Sequence, residues 1–218
     1  MKILILGATG RTGGLIVEEA VKQGYDLNIL VRDKSKAPFN SKSIMVYQGT
    51  PASQTDLRAA MEGCDLIISA LGIARASDAP WSKLISPSNF ITESMKNVIA
   101  EAGQQNVKRV ITVSAWGAGE TQKDIPFWLR WLINYTKLRP VYAEHESQEK
   151  LLTNSNLNWT AVRPVALNDS QKLKTLMVSL NNFPKPSLQI SRQSVAKFIV
   201  DIVKSDKYDR KRPTISEN

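Results

Sequence analysis

The chain has 218 residues, 42% hydrophobic and 22% charged, and a net charge of +9. That length and balance fit one domain with a single sizeable core and exclude disorder as the main state. Cys64 is the only cysteine, which excludes an intramolecular disulfide, and His145 is the only histidine, so no metal site is expected.

The first fourteen residues, MKILILGATGRTGG, organise the rest. The apolar run Ile3–Leu6 stops at Gly7, Gly10 and Gly13 follow at equal spacing, and an apolar-periodic segment opens at Leu15. The pattern predicts strand, glycine turn, helix. Such a turn lets backbone approach a pyrophosphate, and the helix N-terminus offers free N–H groups and the positive end of its dipole. A helix is predicted over 15–23 with Gly24 after its end, and a second strand over 26–32. In NAD-preferring folds an acidic residue about 20 positions past the glycines holds the ribose hydroxyls. Here Arg32 stands nineteen residues after Gly13, followed by Lys34 and Lys36. An arginine there suits a 2′-phosphate, and Arg11 could meet the same group, so NADP(H) is favoured over NAD(H). Asp33 is the counter-reading, since it could turn inward to the ribose.

A third strand is predicted over 43–48, a short helix over 55–61 ending at Gly63, and a buried strand over 65–70. Ala70, Leu71 and Gly72 then offer small residues where a cofactor would cross the sheet edge. Residues 75–87 read as a loop beside the site. A long helix is predicted over 89–104 and a fifth strand over 107–113, ending at Ser114. That serine is either a substrate-binding hydroxyl at the sheet edge or a cap and turn residue. Residues 120–140 form an aromatic-rich, helical insertion with Phe127, Trp131 and Tyr135 on one face. The face either roofs a planar apolar substrate or packs on the core. A helix over 141–153 carries His145, and a sixth strand runs over 159–164. Strands near 176–180 and 188–191, a helix over 193–204 and a short strand over 214–216 complete an α/β, doubly wound parallel sheet in three layers, a single Rossmann-type domain. The basic cluster Lys204, Lys207, Arg210, Lys211 and Arg212 lacks interleaved aromatics and reads as a solvated helix end, so no nucleic-acid partner is expected. With no apolar run of bilayer length and no signal-peptide layout, a cytoplasmic location and no membrane partner are expected.

GATGRTGG at 7–14, VRD at 31–33, SALG at 69–72, VKRVITVSA at 107–115 and EKLLTNSNLNWTAVRP at 149–164 together resemble the atypical short-chain dehydrogenase/reductases. Within them the similarity is to the NAD(P)-binding, NmrA-like group that includes the biliverdin-IXβ and flavin reductases. The resemblance implies that Gly7, Thr9, Gly10, Arg11, Thr12 and Gly13 contact the cofactor phosphates and that Arg32 reads the 2′-phosphate. It also implies that Ala70, Leu71 and Gly72 line the path to the nicotinamide, with Ser114 and Pro164 flanking it. His145 falls where the flavin reductase branch carries a histidine near its substrate; the alternative is a structural or surface histidine.

One departure restricts the chemistry. Short-chain dehydrogenases pair a tyrosine with a lysine four residues on, which lowers the tyrosine pKa for proton exchange. Here Tyr142 is followed by Glu146 and Tyr135 by Arg139, and Thr50 stands where the family often has an aspartate. A planar conjugated acceptor such as a flavin, quinone or tetrapyrrole fits, because it can take its balancing proton from water while the protein orients the rings. The expectation is therefore an NADPH-dependent reductase using Ser114 and His145 toward its acceptor, acting as a monomer or weak homodimer. The alternatives are an NADP(H)-binding regulator or assembly factor without turnover and, less favoured, an isomerase or dehydratase.

Overall fold

The computed structural model describes residues 1–37, 39–172 and 174–218. Its eight-stranded sheet has the order β3 (Ile44–Gln48), β2 (Asp26–Val31), β1 (Lys2–Leu6), β4 (Leu66–Ser69), β5 (Arg109–Val113), β6 (Asn158–Pro164), β10 (Thr214–Glu217), β8 (Leu176–Ser179). Every neighbouring pair is parallel except β10 with β8. The sheet is therefore the expected doubly wound one, with an antiparallel strand at one edge. A separate two-stranded parallel ladder joins β7 (Ala166–Asn168) to β9 (Gln189–Ser191); β7 carries no three-residue signal that sequence could show.

Alternation along β1 sorts the two cores. Ile3 and Ile5 pack with Ile16, Val17 and Ala20 of α1 (Arg11–Lys22) and with Val195 and Ile199 of α6 (Arg192–Asp201). Leu4 and Leu6 face the other way, with Leu57 of α2 (Gln54–Met61), Met95 and Val98 of α3 (Phe90–Gln104) and Leu152 of α5 (Arg139–Thr153). All of these side chains are essentially buried. A strand covered by helices on both faces must be apolar at every position, which is why β1 and β4 read as continuous apolar runs.

Strand order reverses about β1. From it the chain runs outward to β2 and β3 on one side, then returns to β4 on the other. The carboxyl ends of β1 and β4 meet at this switch point, where open α/β sheets bind ligands. Helix α1 begins at Arg11, four residues before the predicted start, because Gly10 is its extended N-cap and Gly13 and Gly14 are already helical.

Candidate functional site

The glycine turn is shaped by backbone meeting backbone. Gly7 has φ +83°, and a Cβ on it would lie 2.5 Å from the Ala70 carbonyl oxygen. A Cβ on Gly13 would lie 2.0 Å from the Gly7 carbonyl oxygen, which already accepts the Gly10 N–H at 2.9 Å. Only glycine fits either position, and the first helical turn is thereby pressed against the end of β1. Among the described residues no side chain caps Gly10, and no acidic residue stands in the first turn of α1. Those leading N–H groups and the dipole behind them form an anion cradle.

The cradle opens into a cavity of about 520 Å³. Gly7, Thr9, Gly10, Arg11 and Thr12 line it on one side, Leu30, Val31 and Arg32 at the end of β2, and Ala70, Leu71 and Gly72 after β4. Gly49 and Pro51 lie by the β2 end, while Phe90, Val141 and Leu167 supply apolar wall and Arg75, Ser77, Asp78, Ser86 and Arg192 the polar groups. Sequence reading found the glycine turn, Arg32 and the β4 exit. It also placed the 75–87 loop beside the site, but missed the Arg75–Leu84 bridge that closes this loop and Arg192 at the first position of α6.

Two of the charged groups are placed decisively. Asp33 caps the 3₁₀ turn Lys34–Lys36, its carboxylate accepting from the backbone N–H and hydroxyl of Ser35. Those bonds, both to Oδ1, hold its carboxyl below the usual range, and Asp33 lies outside the cavity lining. Arg32 is exposed and lines the cavity. Arg11 is paired rather than free: its guanidinium donates to both carboxylate oxygens of Asp78 at 2.6 and 2.8 Å, and lies 3.7 Å from Asp169, which also pairs with Arg192. The Arg11 bonds hold the Asp78 carboxyl below its ordinary pKa.

Ser114, His145, Pro164 and Gly13 are placed outside the cavity lining. Gly13 acts through its contact with Gly7. The Ser114 hydroxyl, 2% exposed at residue level, donates to Glu149 Oε1 at 2.5 Å. Pro164 pairs with β10 and its carbonyl accepts the Trp116 N–H. Glu149 also accepts from Arg163 and Arg212, and Arg163 reaches on to Glu120. Burial opposes the Arg163 charge, but the two glutamates raise its pKa above the ordinary value. A buried arginine demands such partners. Arg212 thus leaves the solvated cluster expected for it: it bonds Glu149 and stacks 4.9 Å from the Trp159 ring.

His145 is buried on α5, one turn beyond Val141. Gln148 Nε2 donates to the Val113 carbonyl at 3.0 Å and lies 2.9 Å from His145 Nδ1, while Gln148 Oε1 accepts from Thr112. Nδ1 is therefore an acceptor and the neutral ring carries its proton on Nε2. Burial lowers the imidazole pKa to about 4. Burial likewise raises the Tyr142 phenol above its usual value. Neither group is poised for proton exchange near neutral pH. No cluster of three or more potential metal ligands occurs among the described residues.

The α4 helix (Phe127–Tyr135) does not roof this cavity. Ile133 is buried and Leu129 packs on the core, whereas Phe127, Trp128, Trp131 and Tyr135 are 53–74% exposed and absent from the cavity lining. No helix among the described residues is long and apolar enough to cross a membrane.

A family model described as NAD(P)H-binding matches residues 7–206, from the glycine turn to beyond α6. The chain belongs to this NAD(P)H-binding family. Among relatives, it is 26% identical over 219 residues to the photosystem II assembly factor Ycf39 of Synechocystis, covering 97% of this chain but only 61% of that protein. The fold is shared with ChuY, an anaerobillin reductase of Escherichia coli O157:H7, at a TM-score of 0.81 and 19% identity, over 100% of this chain and 97% of that one. It is shared too with a short-chain dehydrogenase/reductase of Veillonella parvula in complex with NADP, at a TM-score of 0.78 and 20% identity, over 99% and 94% of the two chains. Membership of the NAD(P)H-binding family gives the cofactor class, and the glycines at 7, 10 and 13 are those whose added Cβ would crowd the backbone of the turn and the β4 exit.

Proposed function

We propose that the protein is an NADPH-dependent reductase that delivers hydride to a planar, conjugated acceptor such as a flavin, quinone or linear tetrapyrrole. The observation that carries this reading is the continuity of one cavity from Arg32, through the glycine cradle, to the apolar wall of Phe90, Val141 and Leu167. NADPH, when bound, supplies the hydride. The chain's own residues bind and orient. The α1 N-terminus and glycine backbone take the diphosphate, and Arg32 takes the 2′-phosphate by charge-assisted bonds that an NAD-type acidic residue would forbid. Ala70, Leu71 and Gly72 leave room along the sheet edge. In this reading Ser114 and His145 are structural, because the serine proton is committed to Glu149 and the neutral histidine to Gln148 of its own helix. An acceptor that draws its proton from water matches a site without a poised acid. The name of the anaerobillin reductase supports an extended conjugated acceptor.

A second reading keeps nucleotide binding and drops turnover. It is favoured by the same lack of a poised acid and by the assembly-factor name carried by the Synechocystis relative. Stopped-flow mixing with NADPH and a panel of flavins, quinones and tetrapyrroles separates the two. The reductase oxidises bound NADPH faster than the free reagents react; tight NADPH binding with no acceleration establishes the regulator.

A further inference from the structure

We propose that the aromatic face of α4 docks this protein on an anionic membrane surface. Two neighbouring observations converge there. The first is the arrangement of rings. Phe127, Trp131 and Tyr135 recur at one-turn spacing with Trp128 beside them, and they are 73%, 53%, 74% and 59% exposed while Ile133 anchors the opposite side of the helix. Rings of this size leave on the order of 500 Å² of aromatic surface in water, at the upper end of what a monomer ordinarily shows. The apolar surface continues past the start of α4, where Pro126 shares a small cavity with Pro186 and the half-exposed Leu188, and Asp124 and Lys185 also line it.

The second observation is charge. No acidic residue occurs between Asp124 and Glu144, a stretch that contains Arg130, Lys137 and Arg139, with Lys123 just before it and Lys185 alongside. The Arg130 guanidinium lies 5.8 Å from the Phe127 ring, its stem along the helix and its charge beside the aromatic surface. Rings at headgroup depth flanked by cations are the arrangement that binds amphipathic elements to anionic bilayers. The same excess of cations argues against a second copy, since pairing two such faces would bring like charges together. A convex row of rings also needs no matching pockets in a fluid interface. The expectation of no membrane partner rests on the lack of an apolar run of bilayer length; docking through an exposed helix face needs no such run.

Co-sedimentation with vesicles tests the assignment. The wild-type protein is expected to bind phosphatidylcholine vesicles containing about 30 mol% phosphatidylglycerol at least roughly tenfold more tightly than pure phosphatidylcholine, and to be released at about 0.5 M salt. The surface double variant Phe127→Ser/Trp131→Ser, and separately Arg130→Glu/Lys137→Glu, should each lose roughly tenfold or more in vesicle binding, with circular dichroism and NADPH binding unchanged. Absence of sedimentation with the anionic vesicles, or equal sedimentation of wild type and variants, overturns the proposal. So does a homodimer in sedimentation velocity that the Phe127→Ser/Trp131→Ser change dissolves in the absence of any lipid effect, which would make a second copy the occupant.

Discussion

Arg32 and His145 show how far single side chains constrain the chemistry. Arg32 lines the cavity, whereas Asp33 lies outside that lining with its Oδ1 tied to the Ser35 cap. Replacing Arg32 by alanine should weaken NADPH binding roughly tenfold to a hundredfold and leave NADH nearly unchanged, as fluorescence titration would read; equal losses would remove the 2′-phosphate role. His145 has a thermodynamic rather than chemical signature. Its folded-state pKa of about 4 lies below the ordinary 6.5 because burial disfavours the imidazolium. Between those values the unfolded chain binds more protons, so the stability this residue contributes is present above about pH 6.5 and is lost as the pH falls toward about 4. A shift of that size corresponds to about 3 kcal/mol. Urea denaturation across this range should show the decline in the wild type and a shallower one in His145→Gln. Ser114 marks the limit of sequence reading at this scale. A serine at a sheet edge is legible from position, but its partner Glu149 lies on a helix 35 residues away, and nothing local announces that bond.

Among the elements, β1, the glycine turn and α1 were the most legible, because the steric demand there is met only by glycine and therefore leaves a pattern in the chain. Even so the helix start was misplaced by four residues, since Gly13 and Gly14 read as turn and are helix. The structure gives those two glycines different jobs. Gly13→Ala would drive a methyl into the Gly7 carbonyl at 2.0 Å, whereas the Cβ of Gly14→Ala would meet the Ala8 carbonyl oxygen at an ordinary 3.6 Å. The first change should cost about 2–4 kcal/mol and abolish nucleotide binding. The second should be neutral or stabilise by up to about 1 kcal/mol, because it removes a glycine from a helix interior. Thermal denaturation of the pair provides the check, and similar melting temperatures would refute the packing role given to Gly13. The α4 helix was legible as an amphipathic element and illegible in its orientation. Periodicity identifies which residues share a face and says nothing about which face the rest of the chain covers.

At the scale of the molecule, the parallel, doubly wound sheet follows from alternating strands and helices, whereas the antiparallel edge and the β7–β9 ladder depend on segments too short to carry a period. The cofactor and the fold are thermodynamically linked, because the cradle exists only when β1, α1 and β4 are assembled. NADPH at a hundredfold excess over its dissociation constant should add about 2.7 kcal/mol of stability. For a chain of this size that is a rise of roughly 5–10 °C in melting temperature, readable by differential scanning fluorimetry; no rise at saturating NADPH would exclude the cradle as its site. The +9 charge should make the same affinity fall as salt is raised.

The ion pair between Arg11 and Asp78 has a kinetic corollary. It fastens the strap after β4 to the turn proposed to receive the nucleotide, so under that proposal an arriving nucleotide exchanges one anionic partner of Arg11 for another and leaves a carboxylate nearby. Being exposed, the pair contributes little to folding, on the order of 1 kcal/mol or less. Its larger effect falls on admission: the observed association rate should level off as nucleotide concentration rises, at the frequency with which the strap unfastens. Asp78→Asn should abolish that plateau and tighten binding severalfold in rapid-mixing fluorescence, while a rate that stays linear in concentration for both proteins would mean the strap never bars the way.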